Sequence, residues 1–192
     1  FKQLKEELAT PNVYRTASGA PGHEYWQQKA DYKISIKLDD KTQQIYGEET
    51  ITYRNQSPDV LKYIWLQMDQ NMRSKESDSY KIQTSKLSDR MSFAQLDRMN
   101  HKFDGGFNLD GIKDTKGNDL DFTVNKTMMR IDLPTPLTPG KSFSFSVKWW
   151  YNINDRMKDR GRSGYEYFEE EDNYLYTIAQ FYPRMAVYNE VE

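Results

Sequence analysis

The chain has 192 residues, enough for one domain with a sizeable core and too few for a second full domain. With 27 Lys and Arg against 29 Asp and Glu, a net charge of -2 and no basic block, it carries nothing to neutralise a phosphate backbone, which argues against nucleic acid as a partner. The absence of cysteine removes disulfides, thiolate nucleophiles and Cys-ligated metals, and 14 Tyr, 9 Phe and 4 Trp point to an aromatic core of the kind sheets build.

Phe1, Leu4 and Leu8 fall at helical spacing, so a short amphipathic N-terminal helix is expected, ended by Thr10-Pro11-Asn12. Ser18 to Gly22 reads as a linker, giving residues 1–22 as helix and linker and 23–192 as the β-domain. Tyr32, Ile34, Ile36 and Leu38 alternate with polar residues as a half-exposed strand. Residues 45–55 return as a second one, closed by Ser57-Pro58-Asp59. Val60 to Met68 is nearly continuously apolar and reads as a strand covered on both faces. Residues 70–100 lose the period-2 signal and are expected to form an irregular or helical insertion, with Ser88 as a possible cap for Met91, Ala94, Gln95 and Met99. Strands resume at Phe107–Lys113 and Leu120–Val124, read as a hairpin about the Gly117 turn. Further strands are expected over Met128–Leu133, Ser142–Tyr151 and Tyr174–Ala179, after which Pro183 bars continuation in a sheet interior and leaves Gln180 at a strand end. Eight short strands separated by turns predict an all-β, antiparallel two-layer sandwich.

Catalytic groups are sparse. His23 and His101 are the only histidines, each in loop-like sequence without a second His at i+4, so neither builds a local zinc site or triad. Glu169-Glu170-Glu171-Asp172 lacks the alternate ligand spacing of a calcium loop and reads as a solvated acidic turn. Arg160-Gly161-Arg162-Ser163-Gly164 reads as a mobile loop. Trp149 and Trp150 are adjacent in one strand and must point to opposite faces, one into the core and one outward, where it serves a domain interface or a sugar-stacking platform. Phe181, Met185, Val187 and Tyr188 load the last residues with apolar surface that calls for a covering partner.

The segments Tyr25-Trp26-Gln27-Gln28-Lys29-Ala30-Asp31-Tyr32-Lys33-Ile34-Ser35-Ile36, Tyr46-Gly47-Glu48-Glu49-Thr50-Ile51-Thr52-Tyr53-Arg54-Asn55, Leu61 to Met68 and Leu137-Thr138-Pro139-Gly140 resemble the N-terminal domain of the aminopeptidase N family of zinc peptidases, the gluzincins. The resemblance covers about residues 24 to 192 and is most specific in Gln180 to Tyr188, which is similar to the bacterial branch. It implies a saddle-like β-sandwich packed on a thermolysin-like catalytic domain, with Gln180 lent to the pocket for the substrate's first residue, Tyr182 beside it, and Phe181, Met185 and Val187 at the interdomain contact. Many members carry an acidic residue two positions after the Gln to hold the substrate's free amine. This chain has Tyr182 there, so the resemblance supplies no group for that amine. The alternative for Gln180 is that its amide satisfies loop backbone.

Zinc is implied only for a catalytic domain: neither H-E-x-x-H nor the Gly-x-Met-Glu-Asn strand occurs in residues 1–192, and this chain alone is not expected to hydrolyse peptides. The expected partners are a peptide substrate and the catalytic domain, without nucleic acid and without a transmembrane segment, and the bacterial likeness implies an extracytoplasmic location. A carbohydrate- or protein-binding β-sandwich, or a non-catalytic scaffold relative, is the alternative.

Overall fold

A computed structural model describes residues 11–82, 90–93, 103–158 and 162–189. The predicted N-terminal helix, His101 and, of the helix expected after Ser88, the residues Ser88, Ala94, Gln95 and Met99 lie outside these residues.

The described residues form ten strands: β1 (Lys29–Asp39), β2 (Gln44–Arg54), β3 (Leu61–Gln67), β4 (Asn108–Asp114), β5 (Phe122–Asn125), β6 (Met128–Leu137), β7 (Ser142–Asn152), β8 (Gly164–Phe168), β9 (Asn173–Thr177) and β10 (Arg184–Met185). The all-β, antiparallel two-layer sandwich is what the structure shows: one sheet has the order β1-β2-β7-β4, the other β10-β3-β6-β5, and β8-β9 stand apart as a hairpin. The described part of the irregular or helical insertion expected over 70–100 holds a 3-10 turn, Asp69–Arg73, and a single helical turn, α1 (Asp78–Lys81), capped by the Ser77 hydroxyl on the Ser79 amide.

Period-2 patterning drives the layers. Ile45, Ile51 and Tyr53 of β2 and Phe145, Val147, Trp149 and Tyr151 of β7 face inward, as do Ile64 and Leu66 of β3 and Met129 and Ile131 of β6, and together they form one core. The chain passes from one sheet to the other at Asn55. Its fully buried side chain donates to the carbonyls of Asp59 (2.7 Å) and Leu137 (3.0 Å) and accepts from Ser57 Oγ (2.6 Å), so the crossing leaves few polar groups unpaired.

Several sequence expectations need correction. β3 is covered on one face only: Tyr63 and Trp65 stay 44% and 37% exposed, and their aromatic character disguised an outward face as part of a continuous apolar run. The hairpin expected about Gly117 closes only next to its turn, where Lys113 and Asp119 bridge antiparallel and the Leu120 amide donates to the Ile112 carbonyl at 2.9 Å, and β4 and β5 themselves do not pair. Asp114 accepts from the Lys116 and Asn118 amides to make the turn, but β4 then pairs with β7 and β5 with β6, in different sheets. β9 stops at Thr177, so Gln180 sits in a loop, not at a strand end. Ser163 and Gly164 are not a mobile loop. Ser163 is buried, and Gly164 begins β8 at φ 146, where a Cβ would fall 2.7 Å from the Asn154 carbonyl oxygen. Within 18–22, Arg15 and Pro21 bridge and the Gly22 amide donates to the Tyr14 carbonyl (2.7 Å), which makes the linker an ordered turn.

Candidate functional site

The site is built on the loop between β9 and β10. Thr177 ends the hairpin, Ile178 packs on the core, and the Ala179 amide donates to Ser163 Oγ at 3.0 Å. Gln180 then takes a left-handed conformation, φ 50, and is exposed. Phe181 and Tyr182 follow as a T-shaped pair with ring centroids 4.9 Å apart, both half-buried against the core, and the Tyr182 ring meets Tyr32 edge-on at 5.4 Å. Pro183 is buried; beyond it the chain pairs as the edge strand β10, Arg184 opposite Gln67 and Met185 opposite Leu66. A proline at the entrance to an edge strand forfeits no ladder bond.

Three further attachments hold this loop. Gln70, 3% exposed, donates from its side-chain amide to the carbonyls of Ala179 (2.9 Å) and Gln180 (3.2 Å). Asp69, its neighbour, accepts from Arg184 Nε at 2.9 Å. The Tyr32 hydroxyl accepts from the Met185 amide at 2.8 Å. None of Asp69, Gln70 or Ser163 was legible as part of a site. Asp69 and Gln70 lie where the alternation of β3 stops, and Ser163 lies in a Gly/Arg-rich stretch.

Of the predicted site residues, Gln180, Phe181 and Tyr182 are brought together in this loop, while Met185 and Val187 lie beyond it. These two line a groove of about 780 Å³ on the outer side of the second sheet, with Tyr63, Trp65, Met128 and Tyr188. Val187 is 72% exposed. Arg130 lies over the Tyr63 ring at 4.3 Å and also donates to Asp132, which holds the aromatic floor in place.

The remaining candidates separate from the loop. Trp149 is buried with its ring over Gly47, so it offers no stacking surface, and Trp150 lies on the opposite face stacked on Tyr46 at 6.2 Å. Glu169 to Asp172 form the exposed tip of the β8-β9 hairpin, and Asp172 accepts from the Tyr167 hydroxyl at 2.7 Å. His23 is exposed, 3.9 Å from Glu24. Among the described residues no three His, Asp or Glu side chains gather as a metal site, so zinc chemistry is not assigned to them. No helix among the described residues is long and apolar enough to cross a membrane.

No family model and no curated protein matches the chain. Among solved structures it is similar to the M1 zinc metallopeptidase of Deinococcus radiodurans, with 12% identity and a TM-score of 0.42 over 73% of this chain and 24% of that one. A variant of that metallopeptidase bound to a Tyr-Ser-Ala substrate gives 12% identity and a TM-score of 0.42 over 77% of this chain and 26% of that one. A two-domain M1 zinc metallopeptidase variant bound to L-tryptophan gives 13% and 0.42 over the same shares of 77% and 26%. TM-scores at this level establish no kinship, and the chain spans about a quarter of the length of these structures.

Proposed function

We propose that the chain is the N-terminal β-domain of a zinc-dependent aminopeptidase, that it flanks the active-site cleft, and that it contributes Gln180 to the pocket for a peptide's first residue. Zinc and the hydrolytic step belong, in this reading, to a separate catalytic domain, against which Phe181, Met185 and Val187 pack. Tyr182 stands where many relatives carry an amine-binding carboxylate, so the substrate's free amine is held by groups outside this chain. An extracytoplasmic location in a bacterium is part of the same proposal and rests on the sequence resemblance of Gln180 to Tyr188.

The observation that carries the reading is that Gln180 is exposed while its backbone is fastened from beneath by a buried side chain. A primary amide both donates and accepts, which suits the alternating N–H and C=O groups of a peptide. In this loop the carbonyls of residues 179 and 180 are taken by Gln70 and the Ala179 amide by Ser163, which leaves the Gln180 side chain out of that backbone pairing. The test is Gln180→Ala in the full-length protein. The specificity constant for short peptides should fall while zinc content stays the same, and unchanged kinetics would refute the pocket role.

A further inference from the structure

We propose that Gln70 is a positioning residue whose buried amide sets the turn at Ala179 and Gln180 and so fixes the direction in which Gln180 presents its side chain to a substrate. This rests on the reading of Gln180 as a substrate contact, and Gln70 itself touches no substrate.

Glutamine is seldom buried unless its polar atoms are paired, and here all of its polar ends are engaged. Arg73 Nη1, three residues along the same 3-10 turn, donates to Gln70 Oε1 at 3.0 Å. Arginine has no acceptor, so the atom facing it must be the amide oxygen. The amide nitrogen is thereby turned to the opposite side, where two carbonyl oxygens, which cannot donate, receive it at 2.9 and 3.2 Å. The orientation of the amide follows from the chemistry of both neighbours.

Two successive carbonyls converge on one amide nitrogen only if the chain curls between them. Gln180 supplies the curl at φ 50, a region that residues with a Cβ enter only at a cost. Such a conformation persists where the surroundings over-determine it. Here they act from both sides: Gln70 and Ser163 hold the loop before Phe181, and the Asp69–Arg184 pair holds it after Pro183. Residues 69 and 70 together grip a loop more than a hundred positions further along the chain, and Arg73 sets the grip.

Two variants separate positioning from bulk stability. Gln70→Met keeps the length and removes the donor. Gln70→Glu keeps the oxygen for Arg73 but turns a carboxylate oxygen toward the two carbonyls, so if the Met variant folds poorly the near-isosteric Glu variant still reports. In the full-length protein with short peptides, either should raise KM about tenfold, the equivalent of one lost hydrogen bond of about 1.4 kcal/mol, with kcat and zinc content near wild type. In a Gln180→Ala background the same substitutions should add no further rise in KM, because Gln70 acts through Gln180. If Gln180→Ala raises KM but the Gln70 variants do not, or raise it equally in both backgrounds, the positioning role is overturned while the pocket reading stands. If Gln180→Ala leaves KM unchanged, the pocket reading fails and takes this inference with it.

Discussion

Glu49 on β2 stands directly across from Val147 on β7, wholly buried on the inner face of the first sheet, and neither of its carboxylate oxygens has a hydrogen-bond partner among the described residues. On its other side the register places Ile34 of β1. Taking a carboxylate out of water between two aliphatic side chains strongly disfavours the ionised form, and burial pushes the Glu49 pKa up to about 8.

A sign follows for stability. The folded state holds this proton up to about pH 8, whereas the unfolded chain releases it near the ordinary value of 4.5, so between those values the folded state binds more protons. The contribution of neutral Glu49 is therefore fully present below about pH 4.5 and is lost as pH rises through about 8, at up to roughly 1.4 kcal/mol per pH unit. Denaturant midpoints between pH 5 and 8 should fall for the wild type. In Glu49→Gln, which stays neutral at every pH, that decline should flatten. Equal slopes for the two proteins would show that Glu49 is ionised in the fold.

Gly47 faces Trp149 across the same pair of strands, and a Cβ at residue 47 would overlap the indole ring. The ring lies where a side chain would otherwise stand, held edge-on by Phe107 at 5.5 Å. Gly47→Ala should therefore destabilise by about 1–3 kcal/mol, although alanine is the smallest possible addition. A second-site change of Trp149 to Leu should recover part of that loss by vacating the space, a non-additivity that urea unfolding can read. Strict additivity of the two changes would show that the overlap is relieved elsewhere.

How much of this was readable beforehand varies with how local the cause is. The faces of β2 and β7 follow from alternation alone, and period 2 requires Trp149 and Trp150 to part. Which of the two is buried is decided by Gly47, more than a hundred positions away in sequence and adjacent only once the register exists. β10 was missed for the same reason: two residues long, it holds its place through Tyr32, Trp65 and Leu66, none of them near in the chain. At the candidate site Pro183 and the aromatic run announced a break and a special loop. The burial of Gln70 was invisible, because a glutamine is buried only where distant carbonyls accept its protons.

Tyr32 ties the two sheets together at the candidate site, since it sits on β1 of the first while its hydroxyl accepts the Met185 amide of β10 in the second. β10 has only two paired residues, supplemented by the Ala186 amide on the Trp65 carbonyl, so this bond is a large share of what holds the strand. Tyr32→Phe keeps the ring against Tyr182 and removes only the acceptor, leaving the Met185 amide unpaired at a cost of about 1–3 kcal/mol. Tyr32→Ala also loses the ring and should cost about 3–5 kcal/mol. Amide exchange should separate the two effects. In the Phe variant, acceleration should be confined to residues 184–186, because the core packing is intact, whereas the Ala variant should also loosen β1 and β2 around Ile51, the cross-strand neighbour of Tyr32. Unchanged protection at Met185 in Tyr32→Phe would mean that β10 is held by β3 alone and that the hydroxyl contributes nothing to the placement of the loop before it.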